Sequence, residues 1–306
     1  SNISLIMQYV DNVIFDEDTK TYLVKSGDVE KTYDAVFLMT GELGYSDPYK
    51  LEGEKNYYYN PYPLEDHLNH LEGKIGIIGS GLSAIDSFRY LLKYGHKQVY
   101  VLSRSGEMPA VRGTHYDFSL QHLTLDKAFE YEKDGLIPLD KLLELFKKEL
   151  AAHQIDISMF DRKVDRPEVD LQYDLDHLDS IGRIQYLIYA LEDNFKTLFK
   201  YLSREDKQRY LEKYHPYLES NHSPMPPDGA KKILQWVDEG KLVFMHDMES
   251  VETGDSFTVT FEDGSQEHFD ILINATGPVM NIEKDSSTLI QNLYKGMLVE
   301  PDEFGG

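Results

Sequence analysis

Two glycines in the segment 74–86, KIGIIGSGLSAID, have the spacing found in turns that bind a diphosphate. The segment begins as an apolar run, breaks at Gly79 and Gly81, and continues in a helix-like pattern that includes Ala84. Gly79 would allow the tight turn, and Gly81 would let the backbone approach a pyrophosphate without a clashing Cβ atom. Ala84 would let the helix pack closely on the strand. The spacing therefore predicts a dinucleotide site at this turn.

The start of the predicted helix would supply the hydrogen-bond donors for this site. Its first N–H groups have no intrahelical partner and lie at the positive end of the helix dipole, so they attract phosphate. Two serine hydroxyl groups can add further donors. We expect the pyrophosphate to contact Gly79, Ser80, Gly81, Leu82 and Ser83.

The elements around the turn decide between a nucleotide site and a plain strand-to-helix connection. A glycine pattern alone is weak, because such turns often only join two elements. Here residues 74–78 have a strand pattern, residues 83–94 have a helical period closed by Gly95, and residues 99–102 form the next strand. Together they predict a βαβ unit, which is the context that the motif requires.

The tip of that second strand decides which nucleotide fits. An Asp or Glu there would accept from the ribose 2′-hydroxyl and favour NAD. This chain instead has Ser103 and Arg104, and no carboxylate before Glu107. A guanidinium with a flanking hydroxyl suits a 2′-phosphate through charge-assisted hydrogen bonds, so Ser103 and Arg104 favour NADP(H). The alternative is that Arg104 is a plain surface charge, and an FAD ribose is disfavoured because it would also require the acid.

Two further strand ends match each other in sequence. DAVFLMTG (34–41) and DILINATGP (270–278) each consist of an acid, an apolar run and then Thr-Gly. The carboxyl ends of strands in a doubly wound sheet face the ligand crevice, where a small residue and a glycine let a cofactor approach. The runs 35–39 and 270–275 are therefore predicted as buried strands. The candidate cofactor contacts at their ends are Thr40, Gly41, Thr276 and Gly277.

The whole pattern predicts an α/β fold of the Rossmann type, with a parallel sheet, a β-meander and an all-helical insertion. Residues 3–41 alternate like strands, and residues 42–73 form a connector rich in Tyr, Pro and Asn. Residues 115–227 are helical and strongly charged, which is too long for one crossover. Further expected elements are amphipathic helices at 139–153 and 184–202, a helix at 228–240, and strands at 241–246, 250–253 and 256–262.

Composition excludes several function classes. The 306-residue chain carries a formal charge of −23, which disfavours nucleic acid and anionic membranes as main partners because both need basic patches. It has no cysteine, which excludes disulfides, thiolate nucleophiles and Cys-ligated zinc. The pair His67 and His70 lacks the glutamate of a zincin, so no metal site is predicted. No apolar run approaches the roughly 20 residues of a membrane span, and we expect a soluble, cytoplasmic protein.

The order of these motifs resembles two-dinucleotide flavoproteins of the flavin monooxygenase and disulfide reductase type. It is more similar still to the FAD/NAD(P)-binding oxidoreductases of bacteria. The resemblance spans about residues 34–300. It rests on NPYP (60–63), IGSGLSAID (78–86), LSRSGEMP (102–109), the helical insertion, NHSPMPP (221–227) and INATGP (273–278).

The resemblance implies an NADP domain inserted into an FAD domain. It assigns residues 72–277 to the NAD(P)-binding domain, with the insertion at about 115–227. Residues 1–71 would be a partial FAD-domain segment, and residues 278–306 would return to the FAD domain. Thr276 and Gly277 would lie near the nicotinamide, and Thr40 and Gly41 at the flavin side.

Two features of the family are missing from this sequence. The family binds FAD at a first glycine-rich turn near the N-terminus, but nothing before residue 34 contains G-x-G-x-x-G. Its FAD domain closes with a strand near the C-terminus, whereas this sequence ends at DEFGG. We therefore expect a piece of a longer protein, which binds NADP(H) here and FAD only when intact.

The activity that the resemblance implies is hydride transfer from NADPH to flavin, with an unidentified small molecule as substrate and no catalytic base that can be named. One alternative is a non-catalytic module that binds or senses the nucleotide. A Rossmann-like methyltransferase is the other, and it normally requires an acid where Ser103 and Arg104 stand. The sequence therefore favours the oxidoreductase.

Overall fold

The chain divides into two compact units. A computed structural model of the protein describes residues 3–41, 43–156, 166–279, 281–285 and 287–301. The smaller unit comprises Ser1–Gly53 and Thr276–Gly306, and the larger unit comprises Glu54–Ala275. Residues 302–306, which carry the terminal DEFGG, lie outside the described residues.

The strands are β1 (Asn12–Asp16), β2 (Thr21–Ser26), β3 (Val29–Tyr33), β4 (Tyr57–Tyr58), β5 (Ile75–Ile78), β6 (Val99–Leu102), β7 (Leu242–Met245), β8 (Met248–Thr253), β9 (Phe257–Phe261), β10 (Gln266–Phe269) and β11 (Ile271–Asn274). The helices are α1 (Leu64–His67), α2 (Leu82–Lys93), α3 (Leu125–Phe129), α4 (Leu139–Ala152), α5 (Pro167–Asp176), α6 (Leu178–Phe199), α7 (Arg204–Lys213), α8 (His215–His222), α9 (Pro227–Asp238) and α10 (Thr288–Lys295). The smaller unit contains β1, β2, β3 and α10, and the larger unit contains the other described strands and α-helices. None of the described helices is both long and apolar enough to cross a membrane.

A parallel sheet organises the larger unit. Its strand order is β4-β11-β5-β6-β7, and every neighbouring pair is parallel. All carboxyl ends therefore lie at one edge of the sheet. From β5 the chain continues through β6 to β7 on one side, whereas β11 and β4 lie on the other side, so the strand order reverses between β5 and β11. This arrangement confirms the predicted Rossmann-type α/β fold. In open α/β sheets the reversal of strand order is where ligands generally bind.

The predicted βαβ unit is present with nearly the expected bounds. Helix α2 buries one face, with Ala84, Ile85, Phe88 and Leu91 against the sheet. These positions follow the three-to-four residue spacing of a helix that packs on one side. The helix ends before Gly95, whose φ of +102° is readily adopted only by glycine.

The helical insertion has a hydrophobic core of its own. Leu142 and Leu145 of α4 are buried against Leu187 and Leu191 of α6 and against Tyr210 of α7. This cluster shares no residue with the cluster that covers the parallel sheet. The all-helical insertion predicted at about 115–227 is therefore confirmed, with its described helices running from α3 to α8.

Three elements were not predicted from the sequence. Strand β4 has only two residues, and it joins the sheet by pairing with β11. Strand β10 is polar, and it completes an antiparallel meander with β8 and β9. Helix α10 packs on β1 in the smaller unit, where Val13, Leu289 and Leu293 are buried together. The two strands depend on pairing, which no local pattern reveals, whereas α10 has a local signal in its serine N-cap and apolar face.

The run 35–39 was predicted as a buried strand, and this prediction is wrong for the described structure. No regular strand includes these residues, and Phe37 and Met39 are 87% and 92% exposed. The matching run at β11 is buried because β4 and β5 pair with it on both sides. No described strand pairs with 35–39, and an apolar run is buried only when neighbours cover it. Residues 3–11 likewise form no strand, and β1 begins at Asn12.

A buried carboxylate anchors one loop of the insertion. Glu149 of α4 is 0% exposed and accepts hydrogen bonds from the backbone N–H groups of Gln121, His122 and Leu123 at 2.8, 2.6 and 2.7 Å. Nε2 of His153 lies 3.0 Å from Oε1 of Glu149. Burial raises the pKa of Glu149, but the three N–H donors and His153 outweigh it and hold the pKa below its ordinary value. The charged form is thus stabilised in the folded state.

Glu149→Gln should lower the free energy of unfolding by about 2 to 3 kcal/mol at neutral pH, because charge-assisted bonds to buried N–H groups are lost. The pKa of the folded state is lowered, so the difference should persist above the unfolded pKa of about 4.3. It should disappear as the pH falls through the lower folded pKa. Urea unfolding measures this difference. Glu144→Gln, which removes an exposed partner of Lys141, is the control and should cost about 0.5 kcal/mol or less.

Candidate dinucleotide site

The glycine turn is fixed by the sheet from both sides. Its first residue, Gly79, donates its N–H to the carbonyl of Leu102 at 2.8 Å, which joins the ends of β5 and β6. The carbonyl of Ile78 accepts from the N–H of Ala275 at 2.8 Å, which joins the ends of β5 and β11. Because these two bonds join β5 to β6 on one side and to β11 on the other, the turn lies at the reversal of strand order. Gly79 itself has a φ of +115°, which strains every residue with a side chain.

The first turn of α2 is open to solvent and uncapped. Gly81 is the N-cap residue, and no side chain accepts a hydrogen bond there. The N–H groups of Gly81, Leu82 and Ser83 donate to no described residue. A Cβ atom built on Gly81 would meet nothing within 4 Å. These donors are therefore available to a ligand.

The two serines of the turn differ in what their hydroxyl groups do. The hydroxyl of Ser80 donates to the carbonyl of Glu107 and so ties the glycine turn to the loop after β6. That bond uses the hydroxyl proton of Ser80. A phosphate at the turn would therefore contact the backbone of Ser80 and not the hydroxyl donor that the sequence predicted. Ser83 is half-buried, and its carbonyl accepts from the hydroxyl of Ser87 at 2.8 Å.

The loop after β6 presents Arg104 to solvent. The hydroxyl of Ser103 accepts from the N–H of Gly106 at 3.0 Å, and the hydroxyl of Ser105 accepts from the N–H of Glu107 at 3.2 Å. These bonds fold residues 103–107 into a compact turn. The Arg104 side chain is exposed and forms no ion pair with a described residue. Its guanidinium is therefore available, while the Ser103 hydroxyl serves mainly to shape the turn.

Thr40, Gly41, Thr276 and Gly277 belong to the smaller unit. The hydroxyl of Thr276 donates to the carbonyl of Ser46 at 2.9 Å, and the carbonyl of Gly277 accepts from the N–H of Ser46 at 2.9 Å. Gly41 and Gly277 have φ values of +76° and +87°. Both glycines therefore occupy left-handed backbone, as tight turns require. Their assigned roles at the nicotinamide and the flavin stay predictions.

Asp86 of α2 accepts from the hydroxyl of Tyr62 at 3.0 Å, so its carboxylate is paired away from the glycine turn. His67 lies 2.7 Å from the carbonyl of Asn60 through Nδ1. The described residues contain no group of three His, Asp or Glu side chains that could hold a metal ion.

His246 and Asp247 follow β7 and were missed by the sequence interpretation. Nδ1 of His246 lies 2.6 Å from Oδ2 of Asp247, and the His246 side chain is 45% exposed. Because β6 and β7 are parallel neighbours, this pair lies beside the turn that carries Arg104. The rule that selected Arg104 could have found this pair, because His246 is also a polar residue directly after a strand of the sheet.

A cavity of about 960 Å³ lies at the opposite edge of the sheet, at the amino ends of β5 and β6. It is lined by residues 68–74, 94–98 and Tyr100, none of which belongs to the predicted site. Tyr94 and Gly95 place it at the C-terminal end of α2, where the helix dipole is negative and repels phosphate. The opposite end of α2, at the glycine turn, is the positive end of the dipole and favours an anion.

The sequence matches no protein-family model and no curated protein. The structure is similar to that of the L-lysine 6-monooxygenase from Pseudomonas syringae, with a TM-score of 0.53, 13% identity, and coverage of 97% of this chain and 58% of that chain. A reduced ornithine hydroxylase from Pseudomonas aeruginosa gives a TM-score of 0.48, 14% identity, and coverage of 94% and 57%. A thioredoxin reductase from Lactococcus lactis gives 0.37, 12% identity, and 97% and 58%.

The similarity to the lysine monooxygenase concerns the fold. At 13% identity it shows that this chain adopts the α/β architecture found in that protein. The chain spans 58% of the length of the monooxygenase. Substrate and activity do not follow from this similarity.

The two glycines of the turn should respond differently to alanine. Gly79→Ala should lower the free energy of unfolding by about 1 to 3 kcal/mol, because a φ of +115° is strained for alanine. Gly81→Ala should cost about 0.5 kcal/mol, since Gly81 has extended backbone (φ −77°) and free space at Cβ. Urea unfolding of both variants checks this. Equal costs at the two positions would contradict the described turn.

Proposed function

We propose that this chain carries the NADP(H) site of an FAD-dependent oxidoreductase, and that the whole protein passes hydride from NADPH to flavin. The observation that carries the proposal is the uncapped first turn of α2, which lies open at the reversal of strand order between β5 and β11. Ligands of open α/β sheets bind at this position. Bound NADPH would supply the hydride.

The local donors explain how a chain with a charge of −23 can bind an anionic nucleotide. The N–H groups of Gly81, Leu82 and Ser83 point out of the helix start, and the helix dipole adds about half a positive charge there. No acidic residue lies in the first turn of α2. Exposed charges farther away than about 8–10 Å are screened at physiological salt. The free N–H groups and the helix dipole therefore provide the local attraction for the pyrophosphate.

Arg104 supports the choice of NADP(H) over NAD(H). It stands at the tip of the strand after the glycine turn, where an NAD site would place a carboxylate. Its guanidinium has no competing ion pair among the described residues and can form two parallel bonds to a 2′-phosphate. The same residue disfavours a methyltransferase, whose ribose contact is normally an acid at this tip.

Flavin binding is assigned to the intact protein and not to this chain alone. A flavin dinucleotide needs its own glycine-rich turn after a strand, and no second G-x-G-x-x-G occurs in the sequence. In the proposal, the smaller unit corresponds to part of an FAD domain. The exposed run 35–39, which has the pattern of the buried β11, supports this assignment.

Arg104→Ala should weaken NADPH binding by about 10- to 150-fold, which corresponds to the roughly 1.5 to 3 kcal/mol of a charge-assisted contact. NADH binding should change less than about twofold, because NADH has no 2′-phosphate. Titration calorimetry measures both affinities. Arg89→Ala, at an exposed arginine of α2, is the control and should leave both unchanged. Equal losses for the two nucleotides in Arg104→Ala would remove the 2′-phosphate assignment.

The 306-residue chain should bind NADPH but retain no FAD after incubation and desalting. Flavin absorbance of the desalted protein measures retention, and anaerobic addition of NADPH tests for bleaching of the flavin. Retained FAD would contradict the assignment of flavin binding to a longer polypeptide. If NADPH also bleached that FAD, this chain would carry out hydride transfer without any further polypeptide.

A further inference from the structure

We infer that His246 is a second contact for the 2′-phosphate and that, with Arg104, it sets the preference for NADPH. The inference rests on the proposed function, because it concerns the same nucleotide site. It starts from the tips of β6 and β7, which the sheet brings together. The sequence interpretation identified only the first of these tips.

The backbone fixes the two tips relative to each other. Leu102 and Met245 are partners in the parallel register, so the residues that follow them are neighbours. The N–H of Ser103 donates to the carbonyl of Met245 at 3.0 Å, and the N–H of Asp247 donates to the carbonyl of Arg104 at 3.3 Å. Arg104 and His246 are therefore held on adjacent strand ends rather than on independent loops.

The His246 ring packs on the turn that carries Arg104. A Cβ atom built on Gly106 would lie 3.1 Å from Cβ of His246, 3.6 Å from Cγ and 3.9 Å from Cδ2. Gly106 has a φ of +73° and is buried, so the absence of a side chain there leaves room for the His246 ring. The hydroxyl of Ser103 holds this turn closed through the N–H of Gly106. The His246 ring and the Arg104 side chain are therefore both carried by this turn and the strand end beside it.

The Asp247 partner determines what the free nitrogen can do. The carboxylate accepts only, so Nδ1 of His246 carries the proton of their 2.6 Å bond. Nε2 has no described partner, and the side chain is 45% exposed. When both ring nitrogens carry a proton, Nε2 is a donor, which suits the 2′-phosphate of NADPH.

Carboxylates surround the two strand tips. Asp247 bonds to the His246 ring, Glu107 belongs to the turn that carries Arg104, and the N–H of Glu262 donates to the carbonyl of Asp247 at 2.9 Å. Because NADH lacks the 2′-phosphate, we expect His246 to contribute to the binding of NADPH and not of NADH.

His246→Gln should weaken NADPH binding by about tenfold at neutral pH and change NADH binding less than about twofold. Titration calorimetry measures both affinities. His268→Gln is the matched control, because His268 is an exposed histidine of β10 that contacts Thr258. It should change neither affinity.

Three results would overturn the inference, and they separate it from the proposed function. If Arg104→Ala weakens NADPH binding and His246→Gln does not, His246 has no role at the phosphate and the proposed function stands. If His246→Gln weakens both nucleotides equally while its unfolding midpoint is unchanged, the residue does not read the 2′-phosphate. If the wild-type chain binds no NADPH, the proposed function fails and the inference fails with it.

Discussion

The proposed nucleotide site depends on the unpaired N–H groups at the start of helix α2. Every α-helix begins with such groups, and most are satisfied by a capping side chain. Here Gly81 occupies the N-cap position and supplies none. Helix α2 is nevertheless stable, because its apolar face packs into the core of the larger unit. Packing thus supplies the stability, and the helix start is left available for a ligand.

The parallel sheet places those donors where they can act. Because all its strands run in one direction, their carboxyl ends form a single edge, and the glycine turn lies where the strand order reverses. Hydrogen bonds from Gly79 to Leu102 and from Ala275 to Ile78 hold the turn against both neighbours. The same edge carries Arg104 and His246 on the next two strands. Local donors and cations can therefore bind an anion on a chain whose overall charge is strongly negative.

Sequence alone predicted the elements whose signal is local. The strand before Gly79, the period of α2 and the end at Gly95 each follow from residues within one short segment. The run 35–39 failed because its burial depends on neighbouring strands, and no described strand pairs with it, whereas β11 has the same pattern and two partners. The pair His246 and Asp247 was missed for a related reason. It lies far from Arg104 in sequence, and only the register of β6 with β7 brings the two together.

The most direct test of the central claim is an amide chemical-shift titration of the isotope-labelled chain with NADP⁺. We expect the largest chemical-shift changes at the N–H groups of Gly81, Leu82 and Ser83, followed by the guanidinium N–H of Arg104. These groups should saturate together with one affinity. Changes confined to the cavity at the amino ends of β5 and β6, around residues 68–74 and 94–98, would contradict it. In that case the uncapped helix start would be a feature of the fold and not a nucleotide site.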